Sequence, residues 1–146
     1  MHFPYKVFPI SKPQPGFRNE RESWIPVLNV SLIIGHSPTR KFEAIVDSGS
    51  PSCLFHADIG KAHGLKVEEG DEGPLGGVIG GAKGLVYYHR VKLNVASQII
   101  PISAGFSAQL SVAAILGRHG FFEHFKVVFD PSSIPPGLTI ERIYRA

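Results

Sequence analysis

Glycine and proline interrupt this sequence so often that no long helix fits into it. The 146 residues include 16 glycines and 12 prolines. Glycine adopts positive φ without strain, and proline fixes φ and donates no hydrogen bond, so both residues favour turns. The chain is therefore predicted to be mostly β, with short elements joined by tight turns.

Alternating apolar residues predict where the strands lie. From Leu28 to Ile34 every second residue is apolar, a pattern typical of a strand with one buried face. Residues 41–46 are predicted to return as the second strand of a hairpin. Further strands are predicted at 87–95, 125–129 and 138–143, and short helices at 55–63 and 118–125. Together these elements predict a closed β-barrel with one or two short helices.

Length and composition fit one folded domain preceded by an arm. Apolar residues make up 43% of the chain and charged residues 18%, as in globular proteins. Residues 1–22 contain four prolines without periodicity, so they are predicted to form an extended arm, and residues 23–146 the domain. The chain starts without a signal-peptide pattern, and the single Cys53 excludes an internal disulfide. We therefore expect a cytoplasmic location.

The charge distribution argues against two classes of partner. The formal net charge is +3, and the lysines and arginines are scattered without a base-reading module. No apolar run approaches the roughly 18 residues that span a bilayer. We predict neither a nucleic-acid partner nor a membrane partner.

The segment 44–50, with the sequence AIVDSGS, carries the clearest chemical signal. A β-branched apolar strand leads directly to Asp47 and then into a Ser-Gly turn. Burying a carboxylate after such a strand is costly, so the position needs a physical reason. Taken alone, Asp-Ser-Gly is also a common turn in which the aspartate caps its own backbone. Both interpretations stay open on these residues alone.

Two further segments follow in order along the chain. Residues 76–81 read GGVIGG, and residues 114–118 read AILGR before an aromatic-rich stretch. A phosphate-binding loop is disfavoured, because no Lys-Ser/Thr pair and no clear helix follow the glycines. In this order the three segments resemble the retropepsin family, the single-lobed aspartic proteases of retroviruses and their relatives. The resemblance covers roughly residues 24–129.

The resemblance implies an aspartic endopeptidase that cleaves extended peptide or protein segments. It implies no cofactor and no metal. It assigns catalysis to Asp47, the active-site loop to Ser48, Gly49 and Ser50, a flap over the substrate to Gly76, Gly77, Val78, Ile79, Gly80 and Gly81, and support of the loop to Leu116, Gly117 and Arg118.

The small number of aspartates indicates that a second copy of the chain is an expected partner. Aspartic proteases use two carboxylates that share one proton. The chain has only three other aspartates, Asp58, Asp71 and Asp130, and none follows an apolar strand in an Asp-Ser/Thr-Gly motif. A homodimer in which two Asp47 side chains meet across a two-fold axis is therefore expected.

One position departs from the family pattern. Viral members carry an aspartate two residues beyond the glycine of the loop, and it pairs with the arginine that corresponds to Arg118. Here that position is Pro51. Arg118 is then expected to pair elsewhere, for example with Glu123, or to face solvent.

Two other functions compete with the protease. A catalytically silent module that keeps the fold and binds peptides or dimerises is the main alternative, because intact residues do not prove turnover. The Asp-Ser-Gly triplet is also similar to the Gly-Asp-Ser-Gly of chymotrypsin-like proteases. That family is disfavoured, because Val46 replaces the glycine and the motif comes too early in the chain.

Overall fold

The computed structural model describes residues 1–75 and 84–144, and almost all regular structure in them is β. The short elements follow the glycine and proline content. In chain order they are β1 (His2–Pro4), β2 (Lys6–Pro9), β3 (Glu22–Ile25), β4 (Val27–Ile34), β5 (Ser37–Pro38), β6 (Phe42–Val46), β7 (Leu54–His56), α1 (Ala57–Lys61), a 3-10 helix (Val67–Glu69), β8 (Asp71–Pro74), β9 (Leu85–Val95), β10 (Gln98–Ser107), β11 (Ala114–Leu116), β12 (Phe125–Asp130) and β13 (Gly137–Arg142).

Six strands close into a barrel, in the order β4, β6, β11, β7, β10 and β9. Closure depends on β4, which two neighbours share. Its first half, Val27–Val30, pairs antiparallel with β6, and Ser31–Ile33 pairs antiparallel with β9. The predicted hairpin of β4 and β6 and the predicted closed barrel are both confirmed.

Alternating apolar side chains fill the interior of this barrel. All four apolar residues of the predicted β4 pattern, Leu28, Val30, Leu32 and Ile34, are buried. The rings of Phe55 and Phe106, both fully buried, lie 5.8 Å apart between centroids. Burial of such a side chain stabilises the fold by about 1.5–3 kcal/mol. The packed interior fixes the ends of β6 and β11, from which the candidate site is built.

Only one of the two expected helices forms. The segment predicted at 55–63 is helical at Ala57–Lys61, because Leu54–His56 pairs with β10 and β11 instead. The helix predicted at 118–125 is wrong: this segment is a series of turns. Gly120 in its middle has φ of +99°, which an α-helix does not accommodate. Within residues 1–75 and 84–144, no helix is long and apolar enough to cross a membrane.

Residues 1–22, expected to form an arm, contribute two short strands. β1 pairs antiparallel with β13, which also pairs with β12, so these three strands form a small sheet beside the barrel. β2 pairs only with β3, in a separate two-stranded sheet. The N-terminal segment is therefore held at one end by β13 and at the other by β3.

Candidate active site

Asp47 lies at the point where β6 leaves the barrel. The preceding strand alternates between buried and less buried residues, and Val46 is its last buried side chain. The backbone N–H of Asp47 donates to the carbonyl of Leu116 at 3.0 Å, which continues the parallel pairing of β6 with β11. The carboxylate itself is exposed. The sheet thus fixes the backbone of Asp47 and presents its side chain to solvent.

The turn after Asp47 closes on the same residue. Oδ1 of Asp47 accepts from the Gly49 N–H at 2.9 Å, and its carbonyl accepts from the Ser50 N–H at 3.1 Å. This is the backbone capping that the turn alternative predicts. It is compatible with chemistry, because an ionised carboxylate has two oxygens with about four lone-pair positions. The bond to Gly49 orients the carboxylate, while Ser48 beside it is exposed.

The segment after β11 lies directly against the loop that follows Asp47. The Arg118 N–H donates to the carbonyl of Ser50 at 2.9 Å, and the His119 N–H donates to that of Pro51 at 3.0 Å. The Ser50 hydroxyl, which is buried, donates to the carbonyl of Ser52 at 2.7 Å. Two loops from separate parts of the sequence are thereby joined by main-chain hydrogen bonds.

Gly117 makes this close approach possible. A Cβ at this position would lie 2.3 Å from the carbonyl oxygen of Ser52 and 2.6 Å from that of Ser50. Both are backbone atoms that cannot rotate away, so only glycine fits. Leu116, fully buried, anchors the segment in the core. The residues expected to support the loop therefore lie in contact with it.

Cys53 lies behind Gly117 as part of the packing. It is fully buried, and the Gly117 N–H donates to its Sγ at 3.5 Å. Burial, the largest contribution, raises the pKa of the Cys53 thiol to about 12. The thiol therefore stays protonated and unreactive, and Cys53 acts as a small buried apolar residue.

An open groove of about 370 Å³ begins at Asp47. Its walls are mainly apolar, and the hydroxyls of Ser52 and Tyr88 lie 3.1 Å apart within it. Among the described residues that line the groove, Asp47 is the only acidic one. The groove thus combines apolar walls, a few hydroxyls and one carboxylate.

Comparison with solved structures identifies the architecture. A retropepsin-like aspartic protease from Rickettsia conorii superposes with a TM-score of 0.55, at 11% sequence identity, over 92% of this chain and 98% of that one. This chain has the retropepsin-like fold. The retroviral protease-like domain of Ddi1 from Leishmania major matches with a TM-score of 0.49, at 20% identity, over 70% of this chain and 81% of that one.

The EIAV protease, solved in complex with the inhibitor HBY-793, matches with a TM-score of 0.44, at 20% identity, over 64% of this chain and 82% of that one. No protein-family model matches this chain, and no curated protein matches it significantly. The relationship to the retropepsin-like fold is therefore visible in structure and not in overall sequence similarity.

The expected flap, residues 76–81, lies outside the described residues. Its flanks are described: β8 pairs antiparallel with β9, and the Leu75 N–H donates to the Gly84 carbonyl at 3.0 Å. Pro74 and Leu75 on the first flank line the groove. β8 and β9 are thus paired up to Leu75 and Gly84, the described residues on either side of 76–83.

Two groove residues were not predicted from the sequence. Tyr88 lines the groove from β9, and Gln109 lines it from the loop between β10 and β11. Oε1 of Gln109 lies 3.3 Å from the Leu85 nitrogen and 3.2 Å from the Ser107 hydroxyl, so it joins its loop to the first residue of β9. Neither residue belongs to a local motif, and only the pairing of the strands brings both to the groove that Asp47 lines.

Arg118 is exposed in the single chain. The nearby Glu123 forms ion pairs with His119 and His124, each at 3.7 Å. The Gly120 N–H donates to Glu123 at 2.8 Å. This backbone hydrogen bond is the largest cause that lowers the pKa of the Glu123 carboxyl. Glu123 therefore stabilises the turns at residues 118–124, where the sequence had predicted a helix.

Proposed function

We propose that this chain is a homodimeric aspartic endopeptidase whose catalytic pair is Asp47 from each of two copies. One observation supports the proposal above the others: Asp47 presents an exposed carboxylate from a hydrogen-bonded loop at the wall of an apolar groove. Because Asp47 is the only acidic residue among the described lining of that groove, a second carboxylate has to come from another molecule. Two-fold pairing supplies it with the same geometry.

The two carboxylates divide the chemistry between them. One Asp47 is ionised and removes a proton from water, whose oxygen then bonds to the peptide carbonyl carbon. The other is protonated and donates its proton to the carbonyl oxygen, which gives a tetrahedral diol. When the diol collapses, the carbon–nitrogen bond breaks, the nitrogen receives the proton taken from water, and one diol hydroxyl returns its proton to the second Asp47, which restores the starting pair. The pair carries a single proton because two adjacent carboxylates do not both ionise readily.

The groove favours an extended substrate. Leu54, Val86 and Ile115 contribute apolar walls, and Tyr88 adds a hydroxyl at the rim. An extended peptide adds main-chain hydrogen bonds as an extra strand, while apolar pockets select alternate side chains. In the proposed dimer, the Ser48 hydroxyls tie the two active-site loops together, as the family resemblance implies. Residues 76–81 would form the flap over the substrate.

The decisive experiment compares two aspartate variants in a peptide-library cleavage assay between about pH 4 and 7. Asp47→Asn should lower the cleavage rate by about 10²- to 10⁴-fold or more, because it removes both the base and the acid. Asp58→Asn is the matched control, since Asp58 is an exposed aspartate on α1. Cleavage that survives in Asp47→Asn would remove this residue from the mechanism.

Mixing the wild-type chain with Asp47→Asn tests whether both copies are needed. After equilibration of equal amounts, random pairing leaves about one quarter of the dimers with two carboxylates. Activity should fall to that fraction of the value for wild type at the same total concentration. A fall to only one half would mean that each chain works by itself. Peptide binding without turnover would instead favour the catalytically silent module.

A further inference from the structure

The two-stranded sheet of β2 and β3, hereafter the ribbon, is attached to the barrel at the end that carries Asp47. Only Pro26 separates β3 from β4, and its carbonyl accepts from the Val46 N–H at 2.9 Å. β4 and β6 are antiparallel, with Val27 opposite Ile45. Residues before Val27 therefore continue in the direction in which the chain moves on from Val46 to Asp47.

One face of the ribbon exposes an apolar pair, Val7 and Trp24, beside Pro9 and Glu22. Val7 and Trp24 are directly opposite in its register, and opposite residues in an antiparallel pair share a face. Val7 is 37% exposed and Trp24 is 44% exposed. Phe8 and Ile25, on the other face, are less exposed, and Lys6 lies 5.1 Å from the centroid of the Phe8 ring. The Val7–Trp24 face is thus the uncovered one.

A ribbon of this kind gains stability when its open face is packed. An isolated two-stranded hairpin is at best marginally stable in water, because it buries too little apolar surface. Side-chain contacts with the barrel include the ion pair between Lys6 and Glu43 on β6. The exposed face carries a tryptophan, the residue type most enriched at the centres of protein interfaces.

We propose that the Val7–Trp24 face of each ribbon packs against the second copy of the chain, so that the two ribbons brace the dimer beside the catalytic pair. This inference rests on the proposed function, since the need for a second Asp47 brings another copy to this end of the barrel. A substrate peptide is the less favoured occupant, because the ribbon contributes no residue to the groove that contains Asp47.

Trp24 reports on this contact directly, because it is the only tryptophan in the chain. Sedimentation measures the mass of the wild-type chain over a concentration series, and tryptophan emission and acrylamide quenching are recorded on the same samples. As the mass rises from one chain to two, emission should move to shorter wavelength. Quenching should fall by about twofold or more, because interface centres exclude water.

Variants separate the ribbon from the rest of the dimer. Val7→Thr and Trp24→Thr keep a residue suited to a strand and remove the apolar contact. Each should raise the dissociation constant of the dimer by about tenfold or more, as for an interface anchor. Ile99→Thr is the control: Ile99 is a strand residue that is 58% exposed, on β10 next to the β9–β10 turn. It should leave the dissociation constant unchanged.

The outcomes distinguish this inference from the proposed function. A dimer with protected Trp24 but no peptide cleavage supports the ribbon contact and contradicts the protease. A dimer that cleaves peptides while Trp24 stays equally quenched overturns the ribbon contact alone. Protection of Trp24 on addition of peptide to the single chain also overturns it, in favour of a substrate contact. A chain that stays monomeric at all concentrations overturns both.

Discussion

The loop around Asp47, which is the proposed active-site loop, and the ribbon lie at the same end of the barrel, yet they are held in opposite ways. The loop around Asp47 is joined to the segment 116–119 by several backbone hydrogen bonds and by a glycine without space for a methyl group. In the described part of the chain, the ribbon pairs with no strand of the barrel and leaves a tryptophan nearly half exposed. Hydrogen bonds within the single chain hold the first region in place, whereas the second keeps an apolar pair uncovered.

The two regions thus suit different roles: the loop around Asp47 suits the proposed catalysis, and the ribbon suits the proposed dimer contact. A catalytic group has to be oriented before the substrate arrives, and fixed main-chain hydrogen bonds achieve this without moving parts. A dimer contact, in contrast, gains its free energy from apolar surface that stays uncovered until the partner binds. We therefore expect substitutions near Gly117 to affect the stability of every single chain. Substitutions on the ribbon should act mainly on dimerisation.

The largest effect is expected for Gly117→Ala. The added methyl group would lie within 2.6 Å of two backbone carbonyl oxygens, those of Ser50 and Ser52, so the loops have to separate. The free energy of unfolding should fall by about 3 kcal/mol or more, as for other overpacked core positions. Urea unfolding followed by circular dichroism measures this change, at a concentration where the chain is monomeric.

Gly73→Ala is the matched control for this substitution. A methyl group at Gly73 would meet only the Tyr88 ring, at an ordinary contact distance of 3.5 Å. Its free energy of unfolding should change by less than about 1 kcal/mol. Equal effects of the two substitutions would mean that the close approach of the loops at Gly117 is not what holds the site together.

Sequence patterns predicted the parts of this molecule that depend on local periodicity. The alternation of Leu28, Val30, Leu32 and Ile34 is sufficient to predict β4, because each of these side chains points into one core. The helix predicted at 118–125 failed because apolar aromatic spacing does not reveal the positive φ of Gly120.

The site itself was only partly predictable. Asp47 and Gly117 belong to short motifs, and the structure places them in adjoining loops. Tyr88 and Gln109 belong to none, and they line the groove because the hairpin of β9 and β10 pairs with the distant strand β7. The pairing of β1 with β13 was likewise hidden, since 133 or more residues separate the paired positions along the chain. Local patterns thus predicted most of the strands and singled out the segments of Asp47 and Gly117, but not the contacts between distant segments.

A moderate loss of folding stability is expected at alkaline pH, because the Cys53 thiol behind Gly117 is buried. Burial raises the pKa of Cys53 to about 12, whereas an unfolded thiol titrates near 8.5. Below about pH 8.5 the thiol is protonated in both the folded and the unfolded chain, so its contribution to the free energy of unfolding is fully retained. As pH rises further, the unfolded chain loses the proton first, so the stability of the folded state falls. The loss approaches about 1.4 kcal/mol per pH unit until the folded thiol also titrates.

Cys53→Ala isolates this contribution, because the other titrating groups remain in both proteins. The variant is less stable at neutral pH, since a buried side chain becomes smaller. Its stability should decline less steeply than that of the wild type between about pH 8.5 and 10.5, by about 2 kcal/mol over this range. Parallel curves for the two proteins would show that the buried thiol does not couple to folding, and would weaken the tight packing inferred for this loop.

The smallest effect is expected for the ion pair that joins the ribbon to the barrel. Lys6 and Glu43 form an ion pair whose side chains are 44% and 45% exposed, and such pairs contribute about 0–1 kcal/mol. A double-mutant cycle with Lys6→Met and Glu43→Gln should give a coupling energy in this range, and one that decreases with added salt. A coupling above about 2 kcal/mol, unaffected by salt, would mean that the ribbon is fixed within the single chain. The contrast between the two regions would then be lost, because interactions within one chain would hold the ribbon in place before a second copy binds, as they hold the loop around Asp47.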